Sequence, residues 1–145
     1  MPAILTIICV EHDHLAALAS ELRRAVARAA PPAPVALFYP RFHFDQALAN
    51  YLKRENWALC SHREVRCRPD AAAAAAEISR EGDALGRDFF AYGRSWPIAS
   101  AVADWPRFCR ETTRLLDDLD ALQGRIETDI FSRVLGDGTA ERAAA

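Results

Sequence analysis

Three polar side chains on otherwise apolar helix faces are the residues of this sequence whose types and spacing could do chemistry. His12 lies on the apolar face of the first predicted helix, and Tyr51 and Glu55 are one turn apart on the second. Imidazole and carboxylate groups bind metal ions inside helix bundles, and a phenol can be a further ligand. A di-iron centre takes about six ligands from all four helices, so these three residues predict only an incomplete metal site.

The longest amphipathic segment, residues 104–134, predicts the helix around which the others pack. Its apolar residues recur every three or four positions, the period of a helix that buries one face. Asp104 is a predicted N-cap, and Gly136 is expected just past the end of the helix. The apolar stripe consists of Phe108, Thr112, Leu115, Leu119, Leu122, Ile126 and Ile130.

Three further helices are predicted as partners of this stripe. They cover about residues 4–29, a segment between residues 41 and 63, and about residues 71–92. Each has an apolar face with helical spacing. The three faces consist of Ile4, Ile8, His12, Leu15, Leu18, Leu22 and Val26, then Leu48, Tyr51, Leu52, Glu55 and Leu59, then Ile78, Gly82, Leu85, Phe89 and Tyr92.

The connections between these helices are predicted to be short and irregular. Prolines at positions 31, 32 and 34 end the first helix, residues 61–70 form a charged loop with Asp70 as the next N-cap, and residues 93–103 form the third connection. Four long helices with short connections indicate an all-α, antiparallel up-down four-helix bundle. We assign residues 1–136 to this single domain and residues 137–145 to a frayed tail.

Length and charge exclude several classes of protein. The chain has 145 residues, enough for one domain, and 51% hydrophobic residues, enough for a packed core. Its net charge of −2 gives no basic field, so no nucleic-acid partner is expected.

The cysteines and the N-terminal segment predict a cytoplasmic protein. Cys9, Cys60, Cys67 and Cys109 form no C-x-x-C motif, and we expect buried or half-buried reduced thiols. The apolar run at residues 3–10 is short and follows no Lys or Arg. We therefore expect no signal peptide, no segment long enough to span a bilayer and no membrane partner.

Partial motifs in the first three helices match one known family. IICVEHDHLAALASEL matches an opening Glu-His segment in which His12 is the ligand. YLKRENWAL matches a His-x-x-x-Glu helix, with Glu55 kept and Tyr51 at the His position. ISREGDALGRDFF matches a Glu-His helix, with Glu81 kept and Gly82 at the His position.

The fourth helix carries the last partial motif. RIETDIFSRV matches His-x-x-x-Glu-Glu-x-x-Val-Phe-Pro, in which Glu127, Ile130 and Phe131 are kept and Ser132 replaces the proline. Together with the order of the helices, these motifs make the chain resemble the bacterial hemerythrin-like (HHE cation-binding) domain family over nearly its whole length. The remaining ligand positions of the family fall on Leu122 and Ile126.

The resemblance implies that a metal site has been lost. Family members bind non-haem di-iron for oxygen handling, iron or redox sensing, or repair of iron centres. In this chain His12 and Glu55 are the ligand types that survive, while Leu122 and Ile126 turn the cavity into ordinary core. That change removes the cost of burying carboxylates without their metal.

Three arrangements are open for the remaining polar residues. His12, Tyr51 and Glu55 could form a small buried hydrogen-bonded cluster. The space that Gly82 leaves opposite His12 and Tyr51 could instead hold water or a small ligand. In the third arrangement, the three polar residues bind a single metal ion.

Other residues with chemical potential have simpler structural interpretations. Surface or cap positions are predicted for the remaining histidines, His14, His43 and His62. Trp57 lies off the apolar face and is either a partner contact or cover for the helix edge. Trp96 and Trp105 are expected to pack the third connection against the end of the bundle; a partner groove there is the alternative.

No catalytic motif is present, so the sequence predicts a protein that is not an enzyme. We expect a regulatory or accessory bundle that has no cofactor and acts through an unidentified protein partner or small ligand. A homodimer is compatible with the sequence. The alternative is a metal-binding protein that holds iron or another cation through His12, Glu55 and Tyr51 for oxygen or redox sensing.

Overall fold

A computed structural model describes residues 3–136, apart from the side chains of residues 56 and 57. The described part is all-α, as the sequence predicts, and contains no strand. The long helices are α1 (Ala3–Val26), α2 (Pro34–Ser61), α4 (Pro69–Ser95) and α6 (Trp105–Arg125). Two short helices, α3 (Arg63–Arg66) and α5 (Ile98–Ala103), lie in the connections. After α6 the chain continues as a π-helical segment, Ile126–Phe131, and remains helical to residue 136.

The four long helices contact one another in a cycle, α1 with α2, α2 with α4, α4 with α6, and α6 with α1. Contacts at both ends of a helix pair give its direction. Arg23 of α1 binds Asp117 of α6 at 2.9 Å, while His12 binds Glu127 beyond the other end of α6 at 3.0 Å. Position numbers therefore rise along α1 as they fall along α6, and the two helices are antiparallel.

Side-chain contacts also relate α4 to its two neighbours, α2 and α6. The Phe44 and Phe89 ring centroids are 5.6 Å apart, whereas Leu52 lies beside Gly86, so α2 and α4 are antiparallel. Tyr92 donates to Thr112 Oγ1 at 2.5 Å, and Thr112 in turn donates to the Phe108 carbonyl at 2.8 Å. These contacts fix one end of the α4–α6 pair.

The predicted apolar stripes form the core. Every residue of the stripe predicted in residues 104–134 is buried, and those of the other helices are buried except Leu18, Leu52 and Gly82, which are half-buried. Burial of these apolar side chains is the main favourable term in folding. The helix periodicity therefore identified these core residues correctly, but the core also includes Leu37, Phe44 and Leu116, which lie outside the predicted stripes.

The predicted start of the second helix was wrong. α2 begins at Pro34, seven residues before the predicted limit, and contains Pro40. A proline in the first turn lacks only an N–H that would have no helical partner, so Pro34 starts a helix well. Pro40 does remove a backbone hydrogen bond, but Leu37, Arg41 and Phe44 are buried on this segment and hold it against the rest of the molecule.

Several other boundaries also differ from the prediction. α3 and α5 occupy parts of connections predicted as irregular, and Asp70 lies inside the first turn of α4, whose N-cap is Arg68. Asp104 is at the N-cap of α6, although its side chain makes no capping hydrogen bond. The final helix includes Gly136 instead of ending before it. The predicted frayed tail, residues 137–145, lies outside the described residues.

The prediction that no segment is long enough to cross a bilayer was wrong for α1. Ala3–Val26 has the length and mean hydropathy of a membrane-spanning helix. Buried core helices and signal sequences meet the same criterion, and only length and composition support the assignment. α1 also buries residues from Ile4 to Val26 against the other helices.

Candidate functional site

A buried cluster centred on His12 brings together all three residues that the sequence singled out. His12 is 4% exposed, Tyr51 1% and Glu55 6%. The Tyr51 hydroxyl lies 3.0 Å from His12 Nε2, and Glu55 Oε1 lies 3.4 Å from the same nitrogen. The opposite ring nitrogen, Nδ1, lies 3.0 Å from Oε1 of Glu127.

Two helices present the first three side chains for simple geometric reasons. His12 lies between Ile8 and Leu15 on the buried stripe of α1. Tyr51 and Glu55 are four residues apart on α2, so their side chains lie on one face, one above the other. The neighbouring Arg54–Glu11 ion pair, at 2.6 Å, also joins α1 to α2 beside the cluster.

Glu127 reaches the cluster from the π-helical segment. Its side chain is about half exposed, whereas the residue before it, Ile126, is fully buried. A π-helical turn is wider than an α-helical one and is often found at functional sites. Glu127 therefore approaches His12 from the surface side and closes the cluster there.

The hydrogen-bonding pattern favours a charged imidazole. Because a carboxylate can only accept, His12 Nδ1 carries a hydrogen and donates it to Glu127. Burial lowers the pKa of His12, but Glu55 and Glu127 raise it by more, so the pKa lies above the ordinary histidine value. In the charged form Nε2 also carries a hydrogen, which it donates to the Tyr51 hydroxyl, and the Glu55 carboxylate lies close to the positive charge.

Glu55 is the least satisfied member of the cluster. Its Oε1 atom is buried and makes no hydrogen bond of ordinary geometry within the described part of the chain, although it lies within ion-pair distance of His12. Nε2 has one hydrogen, and the shorter contact takes it towards Tyr51. Electrostatic attraction to the imidazolium, with no direct hydrogen bond, therefore compensates this oxygen.

The Tyr51 phenol stays protonated. Burial raises its pKa far above the ordinary value, and the Glu55 charge raises it further, while a contact with Gln123 lowers it only in part. Gln123 is itself buried on α6, and its Nε2 atom makes no hydrogen bond of ordinary geometry among the described residues, so its contact with Tyr51 is a weak one. A neutral phenol is a weak metal ligand compared with a phenolate, since it keeps its proton and brings no negative charge.

The positions that the family resemblance assigns to metal ligands on the third and fourth predicted helices, Gly82, Leu122 and Ile126, carry no polar side chain. Leu122 and Ile126 are 5% and 0% exposed. A Cβ atom built on Gly82 would meet Leu122 and Leu52, each at 3.9 Å, and no other side chain within 4 Å. The expectation that Gly82 leaves room opposite His12 and Tyr51 was therefore wrong, because the space beside Gly82 faces two leucines.

A surface groove of about 630 Å³ runs past Gly82, outside the cluster. It lies between α2 and α4 and is lined by Leu52, Lys53, Gly82, Asp83, Gly86, Arg87 and Phe90. His12, Tyr51 and Glu55 do not line it. Leu52 separates it from the interior.

The donor geometry fits a multi-ligand metal centre poorly. Within residues 3–136, no group of three or more His, Cys, Asp or Glu side chains is arranged to hold a metal ion. Glu55 and Glu127 contact opposite nitrogens of His12. A single ion could therefore share a His12 nitrogen with only one of the two carboxylates.

Sequence reasoning missed two members of this site. Glu127 was noted as a family match but not as a partner of His12, and Gln123 was not considered. Gln123 follows Leu119 by four residues, which places it at the edge of the apolar stripe and was the available signal. Glu127 carried no comparable signal because the π-helical segment changes the spacing after Arg125.

The other candidate residues occupy simpler positions. His14 and His43 are exposed, and His62 is half-buried with Nδ1 3.6 Å from Glu64. Trp96 and Trp105 pack on Phe108, as the prediction for the third connection requires. The side chain of Trp57 lies outside the described residues.

All four cysteines are free, but their exposure differs from the prediction. Cys9 and Cys109 are half-buried, whereas Cys60 and Cys67 are exposed. The exposed pair lies near the end of α2 and just after α3, where the chain turns at the surface. The helix periodicity did not extend into this turn, so it gave no guide to side-chain direction there.

Comparisons of the chain with protein-family models, with curated proteins and with solved structures found no match. The likeness to hemerythrin-like domains therefore rests on the partial motifs and on the order of the helices.

Proposed function

We propose that this protein is a hemerythrin-like, antiparallel up-down four-helix bundle that has lost its di-iron site. In this proposal it is a non-enzymatic regulatory or accessory protein that acts through a protein partner or a small ligand. The cyclic contacts of α1, α2, α4 and α6 support the bundle, as do the antiparallel pairs. The family assignment itself rests on the motif matches at His12, Glu55, Glu81 and Glu127.

The observation that carries the proposal is the engagement of His12. Protein groups already occupy both of its ring nitrogens, with Tyr51 and Glu55 on one side and Glu127 on the other. Leu122 and Ile126 complete the core where the family places ligands. Replacing buried charged groups by packed apolar side chains is a change that often leaves a protein as stable or more stable.

A second function is favoured by one specific observation, the lack of a hydrogen-bond donor for Glu55 Oε1. Glu55 Oε1, His12 Nε2 and the Tyr51 hydroxyl lie together and would be the protein ligands of a single iron or other cation. Glu127 would then orient the imidazole through Nδ1, as carboxylates do behind many metal-bound histidines. Such a site would serve oxygen or redox sensing.

Metal content separates the two functions. The protein is expressed with added iron, purified without chelator, and analysed by mass spectrometry and by its absorbance spectrum. The main proposal predicts no stoichiometric metal and no charge-transfer band in either the wild type or His12→Ala. His14→Ala, at an exposed position on the same helix, is the matched control.

Two other outcomes have clear meanings. About one metal per chain, lost in His12→Ala and kept in His14→Ala, would establish the cation-binding alternative. Two irons per chain would contradict both, because the described residues near His12 do not supply enough ligands for a di-iron centre.

A further inference from the structure

The first half of α2 is apolar on its outward side as well as on its inward side. Leu37 and Phe44 face the core and are fully buried. On the outward side the exposed side chains follow the spacing three, one and three, which places them on one face of the helix. This α2 aromatic face consists of Val35, Phe38, Tyr39 and Phe42, which are 68%, 46%, 55% and 44% exposed.

The α2 aromatic face is a single patch and not a set of scattered side chains. The Phe38 ring stacks on Phe42 with centroids 5.7 Å apart and contacts Tyr39 edge-on at 5.4 Å. Tyr39 and Phe42 also lie beside the exposed His43 ring. A helix that is apolar all round is normally buried all round, so this face is expected to be covered.

The patch is free of exposed charge. Arg41 is the only charged residue between positions 33 and 43, and it points inwards, where it donates to the Trp96 and Gly93 carbonyls. The first exposed charge along α2 is Asp45, at the C-terminal end of the patch. Beyond the other end, the connection into α2 carries the exposed Arg28.

We propose that the α2 aromatic face is the two-fold interface of a homodimer, formed by antiparallel packing of α2 on α2 of a second copy. A two-fold axis near Phe38 and Tyr39 sets Phe42 of each copy opposite Val35 of the other. No like charges then face each other across the axis, and the two helix dipoles are opposed. The acidic end of each patch is directed towards the end from which the other copy's Arg28 extends.

The size of the patch fits this occupant. A fully buried aromatic side chain covers about 150–250 Å², so three rings and a valine that are about half exposed leave roughly 400 Å² of apolar surface. A standard interface buries about 800 Å² on each partner, with somewhat more than half of it apolar. The patch therefore supplies most of the apolar area that a homodimer needs.

The surroundings of the patch favour a protein surface over a lipid surface. Helices that lie on membranes carry Lys and Arg beside their apolar face and are attracted to anionic lipids. No Lys or Arg is exposed between positions 33 and 43 of α2. The proposed interface goes beyond the proposed function and does not depend on the His12 cluster, whose two α2 residues, Tyr51 and Glu55, lie in the second half of that helix.

Sedimentation velocity on the intact chain, over about 1–100 µM, tests the proposal. We expect the wild type to be a dimer and the double variant Phe38→Lys/Phe42→Lys to be a monomer, with a dissociation constant raised about 30-fold or more. Phe90→Lys is the matched control, because Phe90 is 69% exposed on α4 and lies outside the patch. It should sediment as the wild type does.

Three results would overturn the proposal. They are a monomeric wild type over the whole concentration range, a dimer that persists in the double variant, and dissociation by Phe90→Lys as well. Circular dichroism shows whether each variant keeps its helix content. If the double variant is unfolded, Tyr39→Lys provides the same test at one residue, and a folded Tyr39→Lys dimer would refute the interface.

Discussion

At the scale of single residues, His12 is the feature that connects sequence, fold and function. Its position on the buried stripe of α1 forces an imidazole into the interior, where an unpaired polar group is costly. Tyr51, Glu55 and Glu127 offset this free-energy cost through contacts to both ring nitrogens. Under the proposed function, these contacts hold the ring in place through protein groups alone.

His12 should make the stability of the protein depend on pH. Its pKa in the folded state lies above the ordinary value, because Glu55 and Glu127 raise it by more than burial lowers it. Such a group stabilises the fold fully below about pH 6.5, the ordinary histidine value, and the effect is lost as pH rises through the folded-state pKa. We therefore expect His12→Gln to destabilise the protein more at about pH 6 than at about pH 9.

Urea denaturation of the wild type and the variant at both pH values measures this difference. His14→Gln removes an exposed histidine from the same helix and is the matched control. A loss of unfolding free energy that is equal at the two pH values, or larger at pH 9, would show that His12 is not held in its charged form.

At the scale of helices, α4 shows how a residue without a side chain can be read wrongly from sequence. Gly82 stands where the family resemblance places a ligand, which suggested an internal space. The structure places Leu52 and Leu122 beside it at ordinary van der Waals distance. The space beside Gly86, one turn further along α4, is tighter, since a Cβ atom there would lie 3.1 Å from Leu52 Cδ1.

Alanine substitutions at Gly82 and Gly86 should change the unfolding free energy by different amounts. Gly82→Ala is expected to raise the unfolding free energy by about 0.5–1 kcal/mol, because alanine favours a helix interior and the methyl group fits. Gly86→Ala should gain less, since Leu52 must shift to admit the methyl group. Thermal and urea denaturation of both variants give the comparison. Destabilisation by Gly82→Ala would mean that the space beside it is already occupied.

Helix periodicity predicted the core better than it predicted the connections. The stripes of α1, α4 and α6 repeat over about four to six turns, so errors at their ends did not change which residues face inwards. The second helix was predicted to begin no earlier than residue 41, because prolines such as Pro34 and Pro40 are typical of loops. In the structure this segment is helical, and the buried side chains of Leu37, Arg41 and Phe44 pack it against the rest of the molecule.

Helix periodicity also made part of the candidate site predictable. His12, Tyr51 and Glu55 stood out as polar residues on regular apolar faces. Glu127 follows the point where α6 becomes π-helical, and its contact with His12 spans 115 residues of sequence. Neither the local spacing nor the composition of that segment determines such a long-range pair.

At the scale of the whole molecule, the aromatic residues and the polar cluster lie at different places along the helix assembly. One end is aromatic: the guanidinium of Arg41 lies 5.1 Å from the Tyr92 ring centroid and 5.7 Å from that of Phe108, close to Trp96 and Trp105. The polar His12 cluster lies near the middle of α1 and in the second half of α2. The α2 aromatic face lies towards the aromatic end, so the proposed interface and the cluster occupy different parts of the molecule.

This separation supports the proposal that the protein acts through contacts at its outer surface and not through its interior. A metal-free core needs no entry path for a ligand, and an exposed aromatic helix face offers a contact surface. In the proposed protein, the contacts to both ring nitrogens of His12 come from protein groups alone.

The most direct test is the imidazole nitrogen-15 spectrum of His12 at about pH 7, recorded while Zn²⁺ is added as a diamagnetic probe. We expect that the Nδ1 and Nε2 resonances of His12, assigned by their loss in His12→Gln, do not move as one equivalent of metal is added. A stoichiometric shift of Nε2 that disappears in Glu55→Gln would contradict this expectation and establish a cation site at His12, Tyr51 and Glu55.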